Sequence, residues 1–204
     1  MKFIKAVKSL KERHYPIFSM EDLFLFFPEE NREQVRVQLN DWKKKAWIAP
    51  LKRGLYELNY PQPEVIPDLY IANKLYYPSY VSLETALSIY GLIPEFSAQV
   101  TSVTTKATRI FSNRHGKFSF FSIHPRAFTG YRVNDYQGFE VRIAEPEKAF
   151  VDYIYFKVVH RQQFNPEEER WDSAVLKGFN KKKILDYIEL FHNKKLYGLI
   201  KRLK

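Results

Sequence analysis

Arg36 and Asn40 stand one helical turn apart in the stretch NREQVRVQLNDWKKKAW, residues 31–47. Both are side chains that read DNA bases: a guanidinium pairs bidentately with guanine O6 and N7, a carboxamide with adenine N6 and N7. Val37 lies on the same side, with two readings open, an apolar contact to a thymine methyl or packing beneath a neighbouring hairpin. Arg32, Lys43, Lys44, Lys52 and Arg53 suit contacts to phosphates, which set register without specifying sequence. Glu33 and Asp41 are spaced to orient Arg36 and Lys44 or Lys45, although they also repel phosphates.

Two further clusters have chemical content. Thr101, Thr104, Thr105, Lys106, Thr108 and Arg109 combine hydroxyls and cations, and Thr104, Thr105, Lys106 and Arg109 are the candidate anion site. The competing account is the β-propensity of threonine on a half-exposed strand. Glu145, Glu147 and Asp152 gather around one helix start, where carboxylates favour the dipole; an acid–base pair is the alternative, and capping the preferred reading. The five histidines show no metal-ligand spacing, and cysteine is absent. There is no glycine-rich phosphate loop, no GxGxxG, no GxSxG and no Gly-Ser followed by paired aspartates. The expectation is a protein without cofactor, metal or catalytic residues.

The elements that must position the first set are legible upstream and downstream of it. Asn31, with Gln34 three residues on, fits a capping box. Val35, Leu39, Trp42 and Ala46 fall on one helical face, expected to be buried, with Arg36, Val37, Asn40 and Lys44 roughly opposite. Beyond Trp47 the period changes to Ile48–Leu51, a Lys52-Arg53-Gly54 turn and Leu55–Leu58. Before it come an amphipathic helix over 2–13 with Phe3, Ile4, Val7 and Leu10 as its apolar stripe, a short strand at Ile17-Phe18, and a helix over 20–27 capped by Ser19 with Asp22. Helix, strand, helix, helix, hairpin is the order of a winged helix-turn-helix, assigned to residues 1–60.

Asn59–Pro67 holds three prolines and reads as a semi-rigid linker. Residues 61–204 form the second domain. Its expected elements are helices over 67–76 and 83–90, the latter capped by Ser82 and ended by Gly91. Strands follow within 99–111, at Phe118–Ile123 beyond an Arg114–Lys117 tip, and at Gly130–Asn134 and Phe139–Ile143. A helix over 146–160 comes next, then tail helices over 166–179 and 181–204, the last broken near Asn193. The fold class is α+β: a winged module followed by a mixed α/β domain with a small, mainly antiparallel sheet and C-terminal helices.

The chain carries a net charge of +10 in 204 residues. Residues 1–60 hold 12 basic and 8 acidic side chains, residues 61–156 hold 9 of each, and residues 157–204 hold 12 and 6. A basic excess at both ends favours a polyanionic partner through counterion release. No apolar run approaches the roughly 18 residues of a membrane span, and the N-terminus is too charged for a signal peptide. A cytoplasmic protein with no membrane partner is expected.

The series KRGLYEL (52–58), IANKLYYPSYVSLETALSIYGLIPE (71–95), VTSVTTKATRIF (100–111), FSFFSIHPRAFTGY (118–131) and VRIAEPEKAFVDYIY (141–155) resembles the AbiEi family of antitoxins from type IV toxin–antitoxin and phage-defence operons. The likeness covers roughly residues 18–160 and rests on the order of the series rather than on one motif. It implies an N-terminal winged helix that binds double-stranded DNA at inverted repeats in its own promoter, through the positions 32–46 and 52–53. It also implies an antitoxin domain opposing a nucleotidyltransferase-like toxin, generally without a stable complex. A protein- or RNA-interaction module that uses the winged helix for docking is the alternative from a different class.

Overall fold

In this computed structural model, which describes residues 2–94, 98–160 and 169–200, the chain divides into two compact units. The first is Met1–Pro67 joined by the short segment Phe111–His115, and the second takes up Asp68–Ile110 and the chain from Gly116 onward. Together they make an α+β protein with one three-stranded and one six-stranded sheet among the described residues.

The first unit runs α1 (Phe3–Glu12), β1 (Ile17–Ser19), α2 (Met20–Phe26), α3 (Arg32–Lys44), β2 (Ile48–Lys52) and β3 (Leu55–Leu58). Its sheet has the order β1-β3-β2, antiparallel throughout. Ser19 and Asp22 form the expected capping box, with Asp22 N–H donating to the Ser19 hydroxyl oxygen and Ser19 N–H to the Asp22 carboxylate. The three helices close over Phe3, Ala6, Leu10, Leu23, Val35, Leu39 and Trp42, with Phe18, Ile48 and Leu58 from the sheet. Phe3 is central: its ring meets Trp42 edge-on at 5.0 Å and stacks on Trp47 at 4.6 Å.

Two expectations for this unit are corrected. Ile4 is 79% exposed, because the buried line along α1 follows Phe3, Ala6 and Leu10 and Ile4 lies more than a quarter of a turn off it. Ala46 does not extend the buried face of α3 either. The helix stops at Lys44, and Ala46 is exposed with φ 53°, a left-handed C-terminal cap. There the Ala46 N–H donates to Lys43 O at 3.0 Å and the Trp47 N–H to Trp42 O at 2.9 Å, the paired bonds that usually surround a glycine. An L-residue in this conformation is strained. Ala46→Gly is therefore expected to stabilise the protein by about 0.5–1 kcal/mol, after allowing for the greater freedom of glycine in the unfolded chain. A rise in the urea midpoint at unchanged slope checks it.

From Asp68 onward the chain forms α4 (Asp68–Leu75), β4 (Ser79–Val81), α5 (Leu83–Ile89), β5 (Gln99–Thr104), β6 (Arg109–Asn113, whose residues 111–113 fall in the first unit), β7 (Gly116–Ser122), β8 (Tyr131–Tyr136), β9 (Phe139–Ala144), α6 (Pro146–His160), α7 (Ser173–Lys177), α8 (Lys181–Glu189) and α9 (Lys194–Ile200). These strands order as β6-β7-β5-β4-β9-β8. The sheet is mixed rather than simply antiparallel, since β5 pairs with β7 and β4 with β9 in parallel. The chain leaves β5 for the edge strand β6 and comes back between them as β7, so β7 must run with β5. Alternation along a strand reports which face is buried, not which strand lies beside it.

Other local expectations are adjusted. Ser82 stands before α5, but its hydroxyl donates to Asp152 Oδ2 at 2.9 Å and makes no cap bond. Of the helix expected over 166–179, only Ser173–Lys177 is helical, capped by Asp172, and residues 166–168 lie outside the described set. The final segment does break at Asn193, whose side chain accepts from the Lys195 and Leu196 amides; residues 201–204 fall outside the described set.

Candidate nucleic-acid interface

Helix α3 is held by its ends and by one face. Asn31 caps it, accepting from the Glu33 and Gln34 amides at 2.9 and 3.4 Å, which satisfies two of the orphan donors of the first turn. Val35, Leu39 and Trp42 anchor it in the core. With that face committed, Arg32, Arg36, Val37, Asn40, Lys43 and Lys44 are all exposed. Val37 is 59% exposed, so packing beneath the hairpin is not what it does. Arg36 and Glu33 form an ion pair at 2.6 Å, each side chain 66% exposed. Asp41 pairs with Lys45 at 2.8 Å, and Lys45 in turn lies 4.8 Å above the Trp47 ring. The Arg32 guanidinium sits 5.0 Å over the Phe24 ring. A guanidinium on an aromatic face keeps its charge while losing some freedom.

The hairpin after α3 turns at Arg53-Gly54, with Gly54 at φ 79° where a Cβ would be strained. Arg53 is exposed at this tip. Lys52 is only half-exposed, its ammonium 5.5 Å over the ring of Phe111, from the 111–115 segment of the same unit. That segment is fastened to the hairpin at several points. Asn113 Nδ2 donates to Leu51 O at 3.3 Å and Arg114 to Asn59 Oδ1 at 2.9 Å. His115 Nε2 lies 2.8 Å from Glu57 Oε2, and Arg114 pairs with the other oxygen of the same carboxylate. Glu57 is only 1% exposed. Glu57 is not among the residues singled out by type and spacing; its signal in the sequence is an acid two residues after Leu55, on the inward phase of a strand.

The threonine cluster does not assemble as an anion site around Thr104. That side chain is buried, its hydroxyl donating to Pro78 O at 2.7 Å and accepting from the Lys106 amide at 3.1 Å. Thr101 is likewise committed, to Ser82 O and Thr85. Thr105 is half-buried, while Lys106 and Arg109 are exposed. The hydroxyls serve the inner face of the strand, as β-branched residues there commonly do.

The acids near α6 have separate duties. Glu145 takes hydrogen bonds from Lys183 at 2.7 Å, Arg132 at 2.6 Å and Tyr187 at 3.0 Å. The Lys183 bond foremost, with those of Arg132 and Tyr187, holds its carboxyl down to about 2 against the opposing effect of burial. Tyr187 is pushed up to about 12 by its own burial and by the Glu145 carboxylate. A depressed carboxylate adds stability that is complete above its ordinary value of 4.5 and is lost as the pH falls through about 2. Between these limits the urea midpoint of the protein is expected to fall more steeply than that of Glu145→Gln; equal slopes would contradict this assignment.

Glu147 accepts from the Asn180 amide at 3.0 Å. Asp152 is not a capping residue. It and Lys148 are both fully buried and paired one turn apart along α6. Tyr80 Oη donates to Asp152 Oδ2 at 3.0 Å and accepts from Lys148 Nζ at 2.9 Å. Lysine and aspartate at i and i+4 in KAFVDYIYF, otherwise apolar, is the signal that identifies such a pair. Burial lowers the Lys148 ammonium and raises the Asp152 carboxyl, each opposed by the charge of the other.

Among the described residues no helix is long and apolar enough to cross a membrane. No protein-family model matches this chain, and no curated protein sequence matches it.

Proposed function

We propose that the chain is a sequence-specific DNA-binding regulator whose first unit is a winged helix-turn-helix. The observation that carries this reading is the solvent face of α3. Arg36, Val37 and Asn40, with Arg32, Lys43 and Lys44 around them, are exposed on a helix whose other face is locked into the core by Val35, Leu39 and Trp42. A major groove admits one such helix and offers its base edges to those side-chain types. The element order α1-β1-α2-α3-β2-β3 with strand order β1-β3-β2 supports it, because the hairpin then lies next to the reading helix and presents Arg53 to a backbone. The resemblance to AbiEi antitoxins extends the proposal. The protein represses its own operon at inverted repeats, acts in the cytoplasm, uses no cofactor and opposes a nucleotidyltransferase-like toxin without catalysis of its own.

Titration of the full chain against the duplex upstream of its own gene and against a shuffled duplex, at several salt concentrations, tests the DNA reading. Tighter binding to the promoter with a steep loss of affinity in salt is expected. Equal affinity for both duplexes overturns it. Co-expression with the product of a neighbouring nucleotidyltransferase gene tests the antitoxin half, with restored growth expected.

A further inference from the structure

We infer that Glu33 is a specificity-determining residue of α3, acting by holding the Arg36 guanidinium in a base-reading pose and away from phosphates; the inference rests on the DNA reading above. Glu33 sits three residues before Arg36, and its Oε1 lies 2.6 Å from Arg36 Nη2. Its backbone is fixed by the Asn31 cap, through the Glu33 N–H to Asn31 Oδ1 bond of 2.9 Å. Both side chains thus rise from one ordered helix, about a turn apart, with the acid on the N-terminal side of the arginine.

A free arginine on a basic helix finds phosphates on any sequence, which adds affinity but no information. An arginine already bonded to an acid has one edge of its guanidinium occupied and its charge offset. Approach to a phosphate then brings two anions together, whereas guanine O6 and N7 accept from the remaining N–H groups without that repulsion. Asp41, the other acid on α3, is bonded to Lys45 rather than to a base-reading candidate, so Glu33 alone among the acids of this helix is placed to edit what Arg36 touches. Discrimination by a penalty on the wrong partner is a general route to specificity.

Glu33→Gln keeps the shape and removes the charge. In the full chain it is expected to bind shuffled duplex about two- to fivefold more tightly, and to steepen the salt dependence on that duplex by about 0.9 in log–log slope, one more phosphate neutralised. The ratio of promoter to shuffled affinity falls. In an Arg36→Gln background the same change is expected to leave the ratio unmoved, since Glu33 acts through Arg36. A wild-type protein with no promoter preference overturns both the regulator reading and this inference. A wild-type preference that Glu33→Gln leaves intact, with an unchanged salt slope, overturns the inference alone. A change confined to the thermal midpoint also overturns it, because that is all the favourable place of Glu33 at the helix start would contribute.

Discussion

Asp152→Ala is expected to cost the protein about 3–5 kcal/mol of stability, the largest effect of any single truncation considered. The cost comes less from the pair itself than from what is left behind. Lys148 is fully buried and its ammonium has Asp152 and the Tyr80 hydroxyl as polar partners. Without the carboxylate, the cation must either remain charged in an apolar interior or give up its proton. Ser82 and Tyr80 lose their acceptor at the same time. Lys148→Met is expected to be damaging for the mirror reason, a buried carboxylate without its cation. The double variant Lys148→Met, Asp152→Leu is expected to recover much of the loss, because removing both charges removes the desolvation penalty as well. Urea unfolding of these variants and of the single Asp152→Leu, which completes the cycle, measures this. Additive losses in the double variant would show that packing rather than charge pairing governs the site.

Arg36→Ala is expected to weaken binding to the promoter duplex by about 1–3 kcal/mol, roughly five- to 150-fold, and to relax the preference at one base position. Stability is expected to stay nearly constant, since the side chain is two-thirds exposed and its partner Glu33 is a surface acid. Lys44→Ala gives the contrasting pattern: a uniform loss on all sequences and a salt slope shallower by about one. Arg53→Ala belongs with Lys44→Ala, being exposed at the hairpin turn. Lys52→Ala is expected to do less than Arg53→Ala, because its ammonium already rests over Phe111. Binding isotherms at three or more salt concentrations distinguish the two classes. If Arg36→Ala and Lys44→Ala behave alike, α3 is a phosphate-binding element and not a reader.

The cap at Asn31, the buried line of Val35, Leu39 and Trp42, the Ser19–Asp22 box and the turn at Gly54 were legible from residue type and spacing, because each depends on neighbours within about four positions. The end of α3 was not. Apolar periodicity runs on to Ala46, and the left-handed φ of Ala46 with the bonds that the Ala46 and Trp47 amides make back to α3 shows that the chain has turned there. Ile4 misled for a similar reason: apolar character gives a residue the means to be buried, not a surface to be buried against.

By itself the sequence determined the local elements, the basic balance and the side-chain types that α3 offers to solvent. Those properties follow from short-range sterics, capping and charge, which act the same in any context. Tertiary structure alone decided the strand order with its two parallel pairings, the burial of Thr104, and the partners of Glu57, Glu145 and Lys148. Glu57 lies 58 residues from the histidine it pairs with. Contacts at such separations are set by which surfaces exclude water together, a property of the folded whole that no window of the chain contains.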